Sequence, residues 1–305
     1  HHGPTLEPGC GRGVFMALAP EASTVTGVEL DATTAQVAEA RFAGRHKVIH
    51  GSFADVPVAK GQVAATIGNV PFGAFRLFDQ TDNPGRRLSI HDHFLAKSAR
   101  ALAPGGIGVM VTSRYTMDAI DPAGREAIGA HADFVGAVRL PSAAHVQEAG
   151  CEVVTDIIVL RGRAADTVAS HVSGFTEPTP ADLDGVRLSQ YFVDHPGQVL
   201  GQVTSRTGRY STPEMHIGGT LDDALGQLPA ALDRATAGWF DTAPGPLSTP
   251  LELENQRGTP TWDVPGAHRL NEAVPEVFET DVGWMPVAKQ APEVAALIRV
   301  RDALD

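Results

Sequence analysis

The sequence is poor in cysteine. Cys10 and Cys151 are the two among 305 residues, too few for a disulfide framework or a four-thiolate zinc site. A reducing, cytoplasmic setting is expected. Long apolar runs are missing too. None approaches the ~18 residues of a membrane span, and no signal peptide opens the chain, so no membrane partner is expected. There is no internal repeat and no low-complexity tract. Basic residues are few, 24 Lys and Arg against 36 Asp and Glu, giving a formal net charge of −12. That balance speaks against nucleic acid, but it is uneven along the chain. Residues 1–165 hold 15 basic and 16 acidic residues, leaving 9 and 20 for residues 166–305. The first part is nearly neutral and leaves room for a basic groove.

What the chain does have is alternation. The β-rich runs "TVTGVEL" (24–30), "HKVIHGSF", "VAATIGNV", "IGVMVTS", "FVGAVRL" and "EVVTDIIVLRG" are separated by helical stretches. Asp31 reads as the N-cap of "ATTAQVAEARF", and Pro104-Gly105-Gly106 closes the helix containing "IHDHFLAKSARAL". A further helix is expected at "AGREAIGAHA". The pattern predicts an α/β fold, a doubly wound and mainly parallel sheet with helices on both faces. No long helix separates the last two strands, which predicts an antiparallel pair at the edge. The expected division is a catalytic domain at 1–165 and an accessory, target-recognition region at 166–305. In the latter, helices are expected at "LDDALGQLPAALDRAT" and at the terminal "APEVAALIRVRDAL". Between them residues 238–288 are rich in Gly, Pro and polar residues, with Trp239, Trp262 and Trp284 as anchors.

"LEPGCGRG" (6–13) falls where the first strand turns into the first helix. Gly9, Gly11 and Gly13 let the backbone bend tightly and approach a ligand, with a helix N-terminus behind it. Glu29 closes the second strand 20 residues after Gly9, the place from which a carboxylate accepts hydrogen bonds from ribose hydroxyls. A nicotinamide cofactor would use the same geometry, but its fingerprint is G-x-G-x-x-G. Gly-Cys-Gly-Arg-Gly after Glu-Pro resembles instead the loop that binds S-adenosylmethionine. That resemblance implies that Glu7 helps hold the methionine end of the cofactor, with Leu30 beside Glu29. It also places Ser52 and Phe53 of "GSF" at the adenine ring. Asp is frequent in the family where Ser52 stands, so that contact is expected to be weaker, with Phe53 still packing on the ring.

"IGNVPFG" puts Asn69-Val70-Pro71-Phe72 after the fourth strand, at the carboxyl edge where ligands of such sheets bind. An aromatic amine such as adenine N6 is a poor nucleophile because its lone pair is delocalised into the ring. Two acceptors on its N–H bonds favour a more tetrahedral nitrogen. The tetrapeptide resembles the Asn-Pro-Pro-Phe element of amino-methyltransferases, which implies that the Asn69 side-chain oxygen and the Val70 carbonyl supply those acceptors. Val70 keeps the carbonyl, which every residue has. It lacks proline's fixed φ, while Pro71 still stiffens the turn. Phe72 offers a flat face for an extruded base.

"SIHDHFLAKSARALAPGGIGVMVTSRYTMD", "VGAVRLP", "VVTDIIVLRGR" and "YFVDHPGQVLG" extend the likeness. Over roughly residues 5–210 the chain resembles N6-adenine DNA methyltransferase domains from large methyltransferase–helicase polypeptides of phages and mobile elements. The resemblance implies a seven-stranded Rossmann-like sheet, S-adenosylmethionine as cofactor, adenine in DNA as substrate, and a helicase or translocase segment as partner. In that group a segment supplying the first strand precedes the glycine loop, so the N-terminus is expected to be truncated, with His1 and His2 a tag remnant. Related motifs act on any planar amide or amine. A protein glutamine or an RNA base therefore stays open as substrate, as does a non-catalytic DNA- or helicase-binding module of a defence or mobility assembly.

Other residues read more plainly. His91 and His93 in "HDH" are i and i+2 on a helix and point apart, so no metal is expected. Cys10 and Cys151 each follow Gly and neither follows Pro, so the Pro-Cys nucleophile of cytosine C5 methylation is absent. Ser113 and Arg114 either line the substrate cleft or simply end a strand. Arg86 and Arg87, in a Pro-Gly loop, either meet phosphates or stay solvated.

Overall fold

Seven strands alternate with helices along the first 162 residues of a computed structural model, which describes residues 3–177, 185–208, 212–240, 268–271, 274–279 and 283–286. Strand β1 (Pro4–Pro8) leads through the glycine loop into α1 (Val14–Leu18). Then come β2 (Thr24–Glu29), α2 (Ala32–Phe42), β3 (Lys47–His50) and β4 (Val63–Asn69). Asp31 caps α2 as expected, its carboxylate accepting the Thr34 amide at 2.8 Å. After a long loop follow α3 (Ile90–Ala101), β5 (Leu102–Ser113), α4 (Tyr115–Asp118), α5 (Ala123–Gly129), β6 (Ala132–Arg139), α6 (Val146–Ala149) and β7 (Thr155–Gly162).

The seven strands form one sheet in the order β3-β2-β1-β4-β5-β7-β6. The first five neighbours are parallel. Strand β7 is antiparallel to both β5 and β6, so the expected antiparallel pair is present, with β6 outermost. The order reverses between β1 and β4, which leaves a crevice outside their carboxyl ends. This is a doubly wound, Rossmann-like α/β sheet.

Pro104-Gly105-Gly106 behaves differently from expectation. Helix α3 already ends at Ala101, and the three residues lie inside β5. Val63 pairs with Leu102 and Ala65 with Ile107, so the stretch between bulges out of the ladder.

The first compact unit runs from His1 to Asn255, past the division expected at 165. Phe175 stacks on Phe134 of β6 with ring centroids 4.2 Å apart, and Tyr191 meets the same ring edge-on. Tyr191 belongs to α7 (Gln190–Asp194), which is followed by the hairpin β8 (Val203–Thr207) and β9 (Pro213–Ile217) and by α8 (Leu221–Thr236). Gly136 lets α8 approach β6, since a Cβ there would lie 2.9 Å from both Ala235 Cβ and the Tyr191 hydroxyl. Arg139 is fully buried and paired with two carboxylates, Asp118 at 2.9 Å and Asp156 at 2.7 Å, with Phe192 under its guanidinium. The ion triad ties α4, β6 and β7 to residues that follow the sheet. The second unit, Gln256–Asp305, holds an antiparallel sheet of β10 (His268–Asn271), β11 (Val274–Glu279) and β12 (Gly283–Pro286). The helix expected from residue 291 and Trp262 lie outside the described residues, as does the side chain of Trp284. Among the described residues no helix is long and apolar enough to cross a membrane.

Candidate active site

The glycine loop is held open by three left-handed residues, Gly9, Gly11 and Gly13, with φ of 68°, 54° and 76°. A side chain on Gly13 would run into the Phe42 ring of α2, whereas beside Gly11 nothing lies within 4 Å of a Cβ position. Gly11 is thus the open part of the loop. Its amide donates to Glu29 Oε2 at 2.8 Å, and the Asp31 amide donates to Glu29 Oε1 at 2.9 Å. Glu29 ties the loop to the start of α2 and keeps lone pairs for further donors. Glu7 is 2% exposed, and its Oε2 has no partner among the described residues. Burial pushes its carboxyl up to about 8 against the opposing pull of the Met16 and Phe15 amides. Cys10 lies buried beside it, its thiol pushed up to about 12 by burial and then by Glu7 and Glu29. A thiol so reluctant to ionise is no nucleophile at neutral pH.

The other residues expected at the cofactor divide. Leu30 is exposed at the end of β2. Ser52 is half-buried, its hydroxyl accepting the Ala54 amide at 3.3 Å. Phe53 is turned into the core at 3% exposure, its ring 4.9 Å from that of Phe94 with Lys97 Nζ 5.1 Å from its centroid. The flat surface expected for an adenine ring is covered by Phe94 and Lys97.

The tetrapeptide leaves the sheet beside the loop. Asn69 is the last residue of β4, and the Val70 amide donates to the Val111 carbonyl of β5 at 3.0 Å. Val70 buries its side chain completely, which anchors the turn. Asn69 is exposed, and its side chain has no hydrogen-bond partner among the described residues. Across the β1/β4 crevice, a Cβ on Gly9 would lie 3.8 Å from Pro71 Cδ, and one on Gly68 would lie 3.4 Å from the Pro8 carbonyl. The two motifs, 60 residues apart in sequence, are neighbours in space.

Phe72, 37% exposed, opens onto a cleft of about 680 Å³. Ser113, the last residue of β5, and Arg114 line it. Arg87 lines it as well, beside Arg76, whose guanidinium donates to the Arg86 carbonyl at 3.3 Å. The loop carrying these residues is pinned from below. Asn83 donates to the Leu77 and Leu88 carbonyls and accepts the Leu88 amide, Lys97 pairs with Asp79 at 2.7 Å, and Arg100 pairs with Asp82. His91 faces the cleft, while His93 lies wholly in the core, its imidazole pushed down to about 4 by burial. Among the described residues no group of three His, Cys, Asp or Glu could hold a metal ion.

Sequence reasoning missed part of this wall. Tyr115, more than half exposed, carries the Arg114 guanidinium 4.3 Å over its ring, and it directly follows the Ser113-Arg114 pair. Glu152 and the hairpin residues Glu214 and Met215 also line the cleft. No local signal marks them, because they arrive through tertiary packing.

A family model described as a methyltransferase domain matches residues 6–80, the stretch from the glycine loop through the tetrapeptide. No curated protein matches the chain. Among solved structures, one similar protein is from Listeria monocytogenes and assigned to the class I S-adenosylmethionine-dependent methyltransferases. It is 16% identical with a TM-score of 0.45 over 55% of this chain and 56% of that one. The methyltransferase subunit of a type I restriction-modification system from Streptococcus thermophilus is 14% identical, TM-score 0.44, over 53% and 40%. An S-adenosylmethionine-dependent methyltransferase from Methanosarcina mazei is 13% identical, TM-score 0.39, over 53% and 93%. The chain thus spans little more than half of the Listeria protein and less than half of the Streptococcus subunit.

The residues present fit the cofactor on their own chemistry. An unpartnered buried carboxyl oxygen, a carboxylate at a strand end and open backbone at Gly11 suit a ligand that carries a cation and sugar hydroxyls. Residues 6–80, which match the methyltransferase-domain model, carry the glycine loop, Glu29 and the tetrapeptide within the Rossmann-like sheet.

Proposed function

We propose that the chain transfers a methyl group to the N6 amine of adenine in DNA. The observation that carries this reading is the placement of Asn69-Val70-Pro71-Phe72. It sits against the glycine loop, with the Asn69 side chain unpartnered among the described residues and Phe72 lining the cleft. S-adenosylmethionine supplies an electrophilic methyl on a sulfonium. The rest of the chemistry belongs to the chain. Glu29 receives the ribose hydroxyls, and Glu7 with the loop receives the methionine end. The Asn69 oxygen and the Val70 carbonyl accept the two N–H bonds of the target amine and turn its lone pair toward the methyl. Phe72 supports the extruded base, offsetting about 1–3 kcal/mol of the cost of unstacking it. The surplus proton of the methylated amine passes to water, since neither the Asn69 amide oxygen nor a peptide carbonyl is basic enough to keep it.

The division of labour extends to a partner. Residues 166–305 carry 9 basic and 20 acidic residues, and non-specific DNA affinity rests on phosphate neutralisation. Delivery of duplex DNA therefore falls to a helicase or translocase segment, and the isolated chain should bind duplex weakly even at low salt. The direct test supplies S-adenosylmethionine with adenine-containing DNA, RNA and glutamine peptides and identifies the product by mass. N6-methyladenine in DNA is the expected product. Methyl groups confined to RNA or to glutamine would overturn the reading.

A further inference from the structure

Phe72 has a counterpart in the cleft. Tyr115 is 56% exposed and lines the same cavity, and its hydroxyl has no partner among the described residues. A lone exposed ring is ordinary on a protein surface, but this one is held in place. The Arg114 guanidinium lies 4.3 Å over the ring centroid and pairs with Asp118 at 3.1 Å. Asp118 is itself buried and paired with Arg139. One face of the ring is thereby backed by a cation anchored in the core, and the rest of it stands open.

Strand order lays out the walls of the cleft. Asn69, at the end of β4, pairs with Val111 of β5, and Ser113 of β5 pairs with Thr155 of β7. Phe72 therefore leaves the sheet from β4 and Tyr115 from its neighbour, a strand spacing of about 4.8 Å away. Among the described residues no ring contact joins the two side chains. Charge follows the same order. Arg76 and Arg87, from the loop after β4, line the cleft with no carboxylate partner among the described residues. Arg86 between them is left-handed, with φ of 49°, and its carbonyl accepts Arg76 Nη1 at 3.3 Å. Glu152, just before β7, and Glu214 of β9 line the cleft too, and Asp121 adds a further carboxylate. The free cations thus come from the β4 loop, and the carboxylates come from segments beyond β5.

We propose that the cleft takes a single, unpaired DNA strand, with Phe72 under the target adenine, Tyr115 under the base next to it, and Arg76 and Arg87 on the phosphates. The inference rests on the adenine-methylation reading and adds the strandedness of the substrate. A duplex brings two backbones, and the second would meet Glu152 and Glu214, whose carboxylates repel phosphate. One strand needs cations along one wall. Stacking on an aromatic side chain tolerates any base, because every base has a π-face. Tyr115 therefore holds the adjoining base without reading it. An unpaired target also costs least to bring out of its stack. An unwound strand is what a helicase segment would hand over.

The experiment uses the full chain with S-adenosylmethionine and one adenine-containing sequence, supplied as single-stranded DNA, as duplex and as single-stranded RNA. Single-stranded DNA should be methylated roughly tenfold faster than duplex, or more. An abasic site on one side of the adenine should slow the unaltered chain roughly five- to hundredfold. Tyr115→Ala should slow the intact strand as much and lose all further sensitivity to the abasic site, while Tyr115→Trp keeps both. A tyrosine that only supports the fold would leave that sensitivity in place. Arg76→Gln and Arg87→Gln should each lower the salt slope of strand binding by about 0.7, with cofactor affinity unchanged. Duplex methylated as fast as the single strand, indifference to an abasic site on either side, or an abasic penalty that survives in folded Tyr115→Ala would overturn the proposal and leave adenine methylation standing. Methyl groups in RNA alone, or bound cofactor with no methyl on adenine in any substrate, would remove the reading beneath it.

Discussion

The two sides of the carboxyl edge are built in different ways. On the cofactor side, Glu7, the glycines and Glu29 lie within 23 residues, and a 2.8 Å bond between Gly11 and Glu29 joins them directly. On the target side, Phe72, Asp92, Tyr115, Glu152 and Glu214 come from five separate segments and meet around one cleft. A site made of one loop and one strand end can be changed little without losing its ligand. A site assembled from distant loops can be retuned one wall at a time. On the proposed function, cofactor use would be a local property of this chain and target choice a distributed one.

The largest effect is expected where the distributed side is tied together. Arg139→Ala would leave Asp118 and Asp156 buried without their cation, a loss of about 3–5 kcal/mol. Chemical denaturation should show it, and the cleft should fail with the fold. The cofactor side has its own stability signature in Glu7. Its folded carboxyl is raised from 4.5 to about 8. Between those values the unfolded chain gives up the proton and the folded chain keeps it. Stability is therefore full below pH 4.5 and is lost as pH rises through about 8, at up to about 1.4 kcal/mol per pH unit. Glu7→Gln, neutral at every pH, should flatten that slope in melting experiments and weaken cofactor binding. A slope unchanged in the variant would mean that another group carries it.

How far the comparison was legible follows the same line. Asp31 and helices 32–42 and 221–236 stand where local capping and periodicity place them. The strand order could be expected in outline, because alternation of strands and helices leaves few solutions. Pro104-Gly105-Gly106 misled because its bulge depends on pairing with β4, a partner that its own residues do not reveal. A phenylalanine after a strand can face a ligand or a core, and Phe53 packs on Phe94. Tyr115 was within reach, one residue beyond a pair already singled out. Glu214 was not, since only the packing of the β8–β9 hairpin brings it to the cleft.

Smaller effects sharpen the contrast. Glu29→Ala should weaken cofactor binding by roughly 1–3 kcal/mol, as expected when hydroxyl donors lose a charged acceptor, and should do so equally for every DNA substrate. Calorimetry with S-adenosylhomocysteine reads it. Phe72→Ala should leave cofactor affinity alone and cost little stability, because its ring is 37% exposed. It should slow methylation of a paired adenine more than of the same adenine opposite a gap, by up to about 1–3 kcal/mol in kcat/KM. Equal loss on both substrates would take the base platform away from Phe72.

The most direct measurement concerns Asn69, where the two sides touch. Turnover and cofactor affinity should be measured together for the unaltered chain and Asn69→Ala. By analogy with the loss of one oxyanion-hole donor, turnover on adenine should fall by about 10²–10³ while cofactor affinity stays as it was. Full turnover in the variant would contradict the account, since no acceptor at the end of β4 would then be needed for the chemistry.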